Sequence, residues 1–182
     1  MRFTQLYAIG IVLLSAFTLT NCNSAAPAGN GYLLQFTDSA SGNTGYKDQQ
    51  GKVVIAAGKY NKCMTDTFTT YAVVAKEPGK YIGIDRSENK LFDVFFFENG
   101  PDYPSEGLFR IIDKNKIGYA DEKTGKIVIP ASYSCAWPFK SGIAMVSDSC
   151  SATTEGEHST WTSNQWYYVD KAGKKTDGPI VN

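Results

Sequence analysis

The sequence predicts an all-β fold, an antiparallel repeat array of about three to four three-stranded units that forms a single domain after a signal peptide. Apolar runs after residue 31 are short, rich in β-branched and aromatic residues, and separated by Gly, Pro, Asn and Asp, which is the pattern of strands and turns. The same pattern recurs at a nearly fixed period. Asp48, Asp85 and Asp121 lie 37 and 36 residues apart, and such a period indicates a repeat architecture.

Residues 1–21 are predicted to be a lipoprotein signal peptide that is absent from the mature chain. A positively charged start precedes an uncharged run of 14 residues, 6–19, which is shorter than the roughly 20 apolar residues needed to cross a bilayer. The run ends in Leu-Thr-Asn-Cys, which resembles a bacterial lipobox, with Asn21 in place of the usual small residue. The resemblance implies a diacylglycerol on Cys22. Ordinary secretion, with cleavage near Ala26 or Ala28, is the alternative.

Residues 22–31 are predicted to form a flexible tether, because small residues, Gly, Pro and Asn predominate in them. The tether would join the lipid to the domain of residues 32–182. Two or more acyl chains anchor a protein stably where one does not. We therefore expect an outer membrane lipoprotein of the cell envelope, on the periplasmic face or the cell surface, whose first partner is the membrane.

Export places the remaining cysteines where disulfides can form and persist. Cys135 and Cys150 are separated by 15 residues, and a bond that closes such a loop stabilises by roughly 3 kcal/mol. A bridge between Cys63 and Cys135 is the rival pairing, because each follows a tyrosine at a nearly equivalent position of the repeat. The thiol left over is expected to be a small buried hydrophobic group.

Residues 116–146 show the plan of one unit most fully. Ile117 and Tyr119 alternate with small or polar neighbours, so one face of their strand is predicted to point into a core. Asp121 opens a turn in which its carboxylate can accept backbone hydrogen bonds, and Gly125 supplies a positive φ that closes the turn.

The rest of the unit is predicted to return, cross over and form a third strand. Residues 127–129 are the return strand, and Pro130 is expected to end it, because proline cannot donate to a β-ladder. Three aromatic residues then cross over the unit: Tyr133, Trp137 and Phe139. Residues 142–146 are predicted to be the third strand.

The second unit departs most from this plan. It has Asn89 where the other units have Gly, and asparagine also tolerates the left-handed region. Residues 91–97 are strongly apolar and contain three consecutive phenylalanines. A segment that is apolar on both faces predicts a strand covered on both sides. An exposed aromatic binding ridge is the alternative.

Residues 116–146 resemble the bacterial WG-type β-repeat. The matching positions are Gly118-Tyr119, Asp121, Gly125, Val128-Ile129-Pro130, Tyr133, Phe139, Gly142, Ala144 and Val146. Ile117-Gly118 stands where the family has Trp-Gly. The resemblance extends loosely over residues 45–177 and implies consecutive three-stranded antiparallel units without known catalytic activity. It also implies an envelope-associated or interaction-related role, and it brings no set of site residues.

Composition and residue spacing exclude several functional classes. Eighteen basic and eighteen acidic residues give no net charge and form no basic block, so nucleic acid is not an expected partner. One histidine without paired thiolates cannot supply the three or four ligands of a zinc site. The segment that begins at Asp85 resembles a calcium loop only superficially, because Phe96 stands where the bidentate acid belongs. We expect no metal and no cofactor.

An insertion of about 13 residues interrupts the repeat, since Asp121 and Asp170 lie 49 residues apart. Insertions in repeat proteins map to loops that often lie on the binding face. Aromatic residues among Ser, Thr and Asn suit an adaptable contact surface. The candidate binding surface is therefore His158, Trp161 and Trp166. The alternative is a disulfide-tethered loop without a binding role.

No catalytic residue is expected. His158 is the only histidine, and its polar surroundings give no sign of the third group and oxyanion site that a triad requires. Acidic pairs such as Glu98 and Asp102 lie in predicted loops, where acids are normally solvated.

The predicted function is that of an exported, lipid-anchored β-repeat protein. It would act as a non-catalytic binding or structural module at the bacterial cell envelope, with an envelope protein or a glycan as partner. One alternative is a periplasmic hydrolase that acts on envelope polymers. Another is a carbohydrate-binding module that presents Trp161 and Trp166 as coplanar exposed rings.

Overall fold

A computed structural model describes residues 31–155 and 158–179 of the 182-residue chain. The predicted signal peptide, Cys22 and all of the predicted tether except Gly31 lie outside the described residues. Every regular element of the described part is a β-strand. The strands are β1 (Leu33–Thr37), β2 (Thr44–Lys47), β3 (Val53–Ile55), β4 (Lys62–Cys63), β5 (Thr67–Phe68), β6 (Tyr71–Glu77), β7 (Lys80–Asp85), β8 (Lys90–Val94), β9 (Phe96–Phe97), β10 (Gly100–Pro101), β11 (Leu108–Asp113), β12 (Lys116–Asp121), β13 (Ile127–Tyr133), β14 (Cys135–Ala136), β15 (Ile143–Ser147), β16 (Ser151–Glu155), β17 (His158–Thr162), β18 (Tyr167–Asp170) and β19 (Lys175–Thr176).

The strands form four antiparallel three-stranded units. Unit I is β1–β2–β3, unit II is β6–β7–β8, unit III is β11–β12–β13 and unit IV is β15–β18–β19. Units II and III merge into one seven-stranded sheet, of order β13-β12-β11-β8-β7-β6-β4, through the pairing of β8 with β11. Units I and IV lie in separate four-stranded sheets, of orders β3-β2-β1-β5 and β14-β15-β18-β19. The predicted all-β repeat architecture is confirmed.

The structural unit is shifted by one strand relative to the unit read from the sequence. Residues 142–146 were expected to be the third strand of the unit that contains Asp121. The structure instead makes β15 the first strand of unit IV, where Ile143 pairs with Asp170 and Val146 with Tyr167. The crossover therefore carries the chain into the next unit. The sequence gives the length of the repeat but not the strand with which each unit begins. Strand pairing shows which strand that is.

The four aspartate turns are built alike, as the repeat predicts, and the turn at Asp121 is one residue longer than the other three. In each turn the aspartate Oδ1 accepts two backbone N–H bonds from residues two to four positions later: Asp48 at 3.0 and 2.8 Å, Asp85 at 2.8 and 2.9 Å, Asp121 at 3.2 and 2.8 Å, and Asp170 at 2.9 and 2.9 Å. In unit II the residue at positive φ is Glu88, at 63°, and not Asn89. Asn89 instead donates to both carboxylate oxygens of Asp85, through its backbone and its side chain.

Pro130 does not end its strand, contrary to expectation. The strand β13 continues to Tyr133, although its pairing with β12 is irregular on both sides of the Tyr119–Ile129 pair. Because β13 is the edge of the seven-stranded sheet, the missing N–H of a proline leaves no neighbouring strand without a donor.

The core runs continuously through the array, since each buried cluster joins two consecutive units. One cluster joins unit I, through Leu33 and Tyr46, to Val74 and Ile84 of unit II. A second joins units II and III and includes Phe92. A third joins units III and IV: its members include Leu108, Tyr119, Phe139, Ala144 and Val169. No unit has a separate core, which is the behaviour expected of stacked repeats.

Candidate functional site: an aromatic surface beside the insertion

The insertion forms a β-hairpin that a disulfide ties to the array. Strands β16 and β17 pair with Ala152 opposite Trp161 and Glu155 opposite His158. Just before the hairpin, Cys150 bonds Cys135, with 6.1 Å between their Cα atoms. The rival pairing does not form, and Cys63 is a free, buried cysteine. Burial raises the pKa of the Cys63 thiol, which keeps it protonated and unreactive at neutral pH.

The structure separates the three residues of the predicted binding surface. The side chain of His158 lies outside the described residues, although its backbone belongs to β17. Trp161 is partly buried against the core of units III and IV. Trp166 lies at the other end of the loop before β18, and its ring pairs with neither Trp161 nor another described aromatic side chain. Trp161 and Trp166 are each half-buried.

Trp161 instead joins an aromatic surface that the sequence reading did not assemble. Its ring makes edge contacts with Phe95 at 5.8 Å and with Trp137 at 5.6 Å. Phe96 and Phe97 follow Phe95 in the short hairpin β9–β10. We call Phe95, Phe97, Trp137 and Trp161 the aromatic surface. Phe96 points to the other side of its strand, where its ring stacks on Tyr81 at 6.2 Å.

Two members of the aromatic surface are well exposed: Trp137 is 41% exposed and Phe97 39%. The expectation that residues 91–97 are covered on both sides holds for Phe92 and Val94, which are buried, but it is wrong for Leu91 on the outer face of β8, which is 39% exposed. It is also wrong for Phe96 and Phe97. The reason is that β8 ends at Val94, after which the chain leaves the seven-stranded sheet and forms a separate two-stranded hairpin.

A buried ion pair holds the aromatic surface in place. The side chains of Arg110 and Asp102 are each 2% exposed. Arg110 donates to both carboxylate oxygens of Asp102, from Nε at 3.0 Å and from Nη2 at 2.5 Å, and its backbone N–H donates to Oδ2 at 2.8 Å. The remaining Nη1 donates to the carbonyl of Ala136 at 3.2 Å. A bidentate pair of this kind fixes orientation as well as charge.

The guanidinium of Arg110 also lies against two phenylalanines of the surface. Its Cζ is 4.2 Å from the ring centroid of Phe95 and 5.2 Å from that of Phe97. Cation–π contacts of this kind strengthen when the cation is desolvated, as it is here. The buried ion pair therefore holds the rings in one orientation. Because the rings are already fixed, less conformational entropy is lost when a partner binds them.

Sequence reasoning missed this support because its two charges lie eight residues apart in segments with no common motif. Asp102 was expected to be a solvated loop acid, and the structure shows it almost fully buried. The only signal available was the break in the repeat: β11 carries Arg110 where β6 has Val73 and β15 has Met145. In unit I the same position holds Gln35, which is polar but uncharged. A charge at a strand position that is uncharged in the other units indicates a buried partner.

Two carboxylates that the sequence singled out, Asp102 and Asp121, are engaged in structural roles. Hydrogen bonds from Thr124, first from its side chain and then from its backbone, hold the pKa of Asp121 below its ordinary value of 3.8. Within residues 31–155 and 158–179 no group of three or more His, Cys, Asp and Glu is arranged to hold a metal ion. The same residues contain no helix with the length and apolar character needed to cross a bilayer.

Residues 117–148 match the family model described as WG containing repeat. The match covers the second and third strands of unit III, the crossover and the first strand of unit IV. No curated protein and no solved structure matches the chain. The described part of the chain is thus an all-β array of units, one stretch of which is similar to the WG containing repeat.

Proposed function

We propose that this protein is an exported, lipid-anchored module that binds another protein at the cell envelope through its aromatic surface and has no catalytic activity. The observation that carries the proposal is the half-exposed pair of Phe97 and Trp137 beside a buried Arg110–Asp102 support. Large aromatic residues held in one orientation are typical of the centres of protein interfaces.

The angles between the planes of the aromatic rings favour a protein partner over a glycan. Trp161 meets Phe95 and Trp137 at interplanar angles of 75° and 72°. A flat sugar face stacks best on exposed rings that share a plane, whereas edge-to-face rings leave pockets between them. Such pockets suit aliphatic and aromatic side chains of a partner protein.

The ion pair and hydrogen bonds that the acidic groups make within the protein support a non-catalytic role. Asp102 is neutralised by Arg110, and the turn aspartates each accept backbone hydrogen bonds. General acid–base chemistry on a polymer needs two carboxyl groups that face the substrate from opposite sides. A hydrolase that acts on envelope polymers remains the alternative, and release of reducing ends or peptides from purified envelope polymer would reveal it.

The binding proposal is tested with a matched pair of variants. In Phe97→Ser the aromatic surface loses one exposed ring, while Val128→Ser removes an apolar residue of similar exposure, 40% against 39%, on β13. Each bait is incubated with envelope extract, and captured proteins are quantified. We expect proteins captured by wild type and by the control to be lost from the first variant. Equal capture by all three baits would contradict the proposal.

The anchor is tested separately. Metabolic labelling with an alkyne fatty acid is expected to label the wild-type chain and to leave Cys22→Ala unlabelled. Labelling of both, or of neither, would remove Cys22 as the site of lipidation.

A further inference from the structure

The aspartate turns of units II, III and IV each contact the start of the first strand of the preceding unit. In the turn of unit II, Arg86 donates to the carbonyl of Gly31 at 2.6 Å. In the turn of unit IV, Lys171 donates to the carbonyl of Glu106 at 2.8 Å. Both cations directly follow the turn aspartate, and both carbonyls lie two residues before a first strand begins, β1 and β11 respectively. The contact is therefore a repeated one.

The turn of unit III makes the same connection with different atoms. The hydroxyl of Tyr71, the first residue of β6, donates to the carbonyl of Glu122 at 2.7 Å, and Thr70 donates to the carbonyl of Thr124. Burial raises the pKa of Tyr71 to about 12, so its hydroxyl remains a donor. Gly125 lies so close that an added Cβ would be 2.5 Å from Cγ of Tyr71. Three turns thus dock on three preceding units.

The turn of unit I is the one that has no preceding unit to contact. Residues 49–52 are all exposed. A Cβ added at Gly51 would meet no other described atom within 4 Å, in contrast to Gly125 and to Gly173, which lies against Ile129. Gln49 occupies the position that Arg86 and Lys171 occupy in units II and IV. Its exposed amide lies over Gly31 of its own unit, since a Cβ added at Gly31 would be 3.2 Å from Nε2, and not against another unit. This end of the array has a free turn.

The opposite end has a free docking position. Ser141 lies two residues before β15 and corresponds to Gly31 and Glu106. Beside it is an open, mainly apolar groove of about 590 Å³, whose lining includes Trp137, Pro138, Ile143, Met145, Tyr168 and Pro179. In the part of the chain that the structure describes, no aspartate turn lies against this groove.

We propose that the unit I turn of a second copy docks in this groove, so that copies associate head to tail and continue the array. The amide of Gln49 in one copy donates to the carbonyl of Ser141 in the next, as Arg86 and Lys171 do within one chain. The proposal extends an observed contact, because a turn already docks on the preceding unit three times inside the molecule. A heterologous contact of this kind produces chains or rings and not a closed symmetric dimer.

Position 49 allows the contact to be weakened and strengthened. The protein is the mature chain, residues 22–182 with Cys22→Ser, studied by sedimentation equilibrium so that no lipid drives association. Gln49→Lys supplies the cation found in units II and IV and is expected to tighten association about fivefold, since a charged donor adds about 1 kcal/mol to a hydrogen bond. Gln49→Glu places an acceptor against an acceptor and is expected to weaken association. The same constant for all three chains would overturn the proposal.

Cysteine pairs test which surfaces meet. Chains with Gln49→Cys and chains with Ser141→Cys are mixed under oxidising conditions, and Lys114→Cys replaces Ser141→Cys in a control. Lys114 is matched to Ser141, because both are exposed and have positive φ, 48° and 53°. We expect a disulfide-linked dimer in the first mixture alone.

Other outcomes would count against a head-to-tail contact. Dimers formed by Gln49→Cys alone would show symmetric pairing. Dimers that form only after residues 180–182 are deleted would show that the C-terminus of the chain itself covers the groove. Absence of dimers in every mixture would show that the groove does not accept the turn. Each result overturns the proposal.

Discussion

The crossovers that follow units II and III join equivalent strands, yet they place phenylalanines in opposite environments. After unit III, Phe139 is 1% exposed and makes an edge contact with Tyr119 at 4.8 Å. After unit II, Phe96 and Phe97 project from a hairpin outside the main sheet. The crossover after unit III thus completes the core through Phe139 while it presents Trp137 at the surface, whereas the crossover after unit II leaves the sheet and exposes two phenylalanines.

The comparison also shows what replaces an apolar core residue when the repeat is broken. Near the crossover after unit II, the buried space at the start of unit III is filled by Arg110 and Asp102, which hold the hairpin in place. Buried ion pairs stabilise weakly compared with apolar side chains of equal volume, but they specify one geometry when every donor is satisfied. Their role here is the orientation of the aromatic surface.

The largest effect is expected at Phe139. Phe139→Ala should lower the free energy of unfolding by about 4 kcal/mol, because it opens a cavity in the core that units III and IV share. Phe97→Ala, at the other crossover, should cost less than about 1 kcal/mol. Urea denaturation followed by tryptophan fluorescence measures both. Equal losses would mean that the two crossovers contribute alike to stability.

The next largest effect is expected at Asp102. Asp102→Ala leaves the guanidinium of Arg110 buried without its counter-charge and should cost about 3 kcal/mol. The double variant Asp102→Ala/Arg110→Met removes the charge as well and should recover part of that loss in the same denaturation assay. Capture of envelope proteins should stay low in both variants, because the support of Phe95 and Phe97 is gone. Full capture by the double variant would show that the ion pair does not orient the surface.

The smallest effect is expected at a turn. Asp121→Ala removes carboxylate hydrogen bonds at an exposed site and should cost about 1 kcal/mol near pH 7. Since the pKa of Asp121 is lower in the folded protein than its ordinary 3.8, its contribution is fully present above that value. The contribution is lost as the pH falls through the lower folded-state pKa.

The difference in unfolding free energy between wild type and Asp121→Ala should accordingly be constant from pH 7 to about pH 5 and then shrink on acidification. Urea denaturation at a series of pH values measures it. A difference that grows on acidification would contradict this assignment, and Ser39→Ala, in a loop outside the four turns, is the control.

The repeating parts of the molecule were predictable from the sequence because their chemistry is local. An aspartate can accept bonds only from the next few backbone N–H groups, and a glycine in the same turn supplies the positive φ. The positions of Asp48, Asp85, Asp121 and Asp170 therefore indicated hairpins, and the spacing indicated an array. Local rules failed at Glu88 and Pro130, where the turn register and the edge position of β13 decided the conformation.

The amino-acid sequence by itself determined the all-β class, the period of about 36 residues and the four aspartate turns, since each depends on residues that are close together in the chain. Tertiary structure alone decided which strand begins each unit, the exposure of Phe96 and Phe97, and the contacts of Trp161 with Phe95 and Trp137. Those features depend on which distant strands pair and where a sheet ends, and no short-range pattern encodes that.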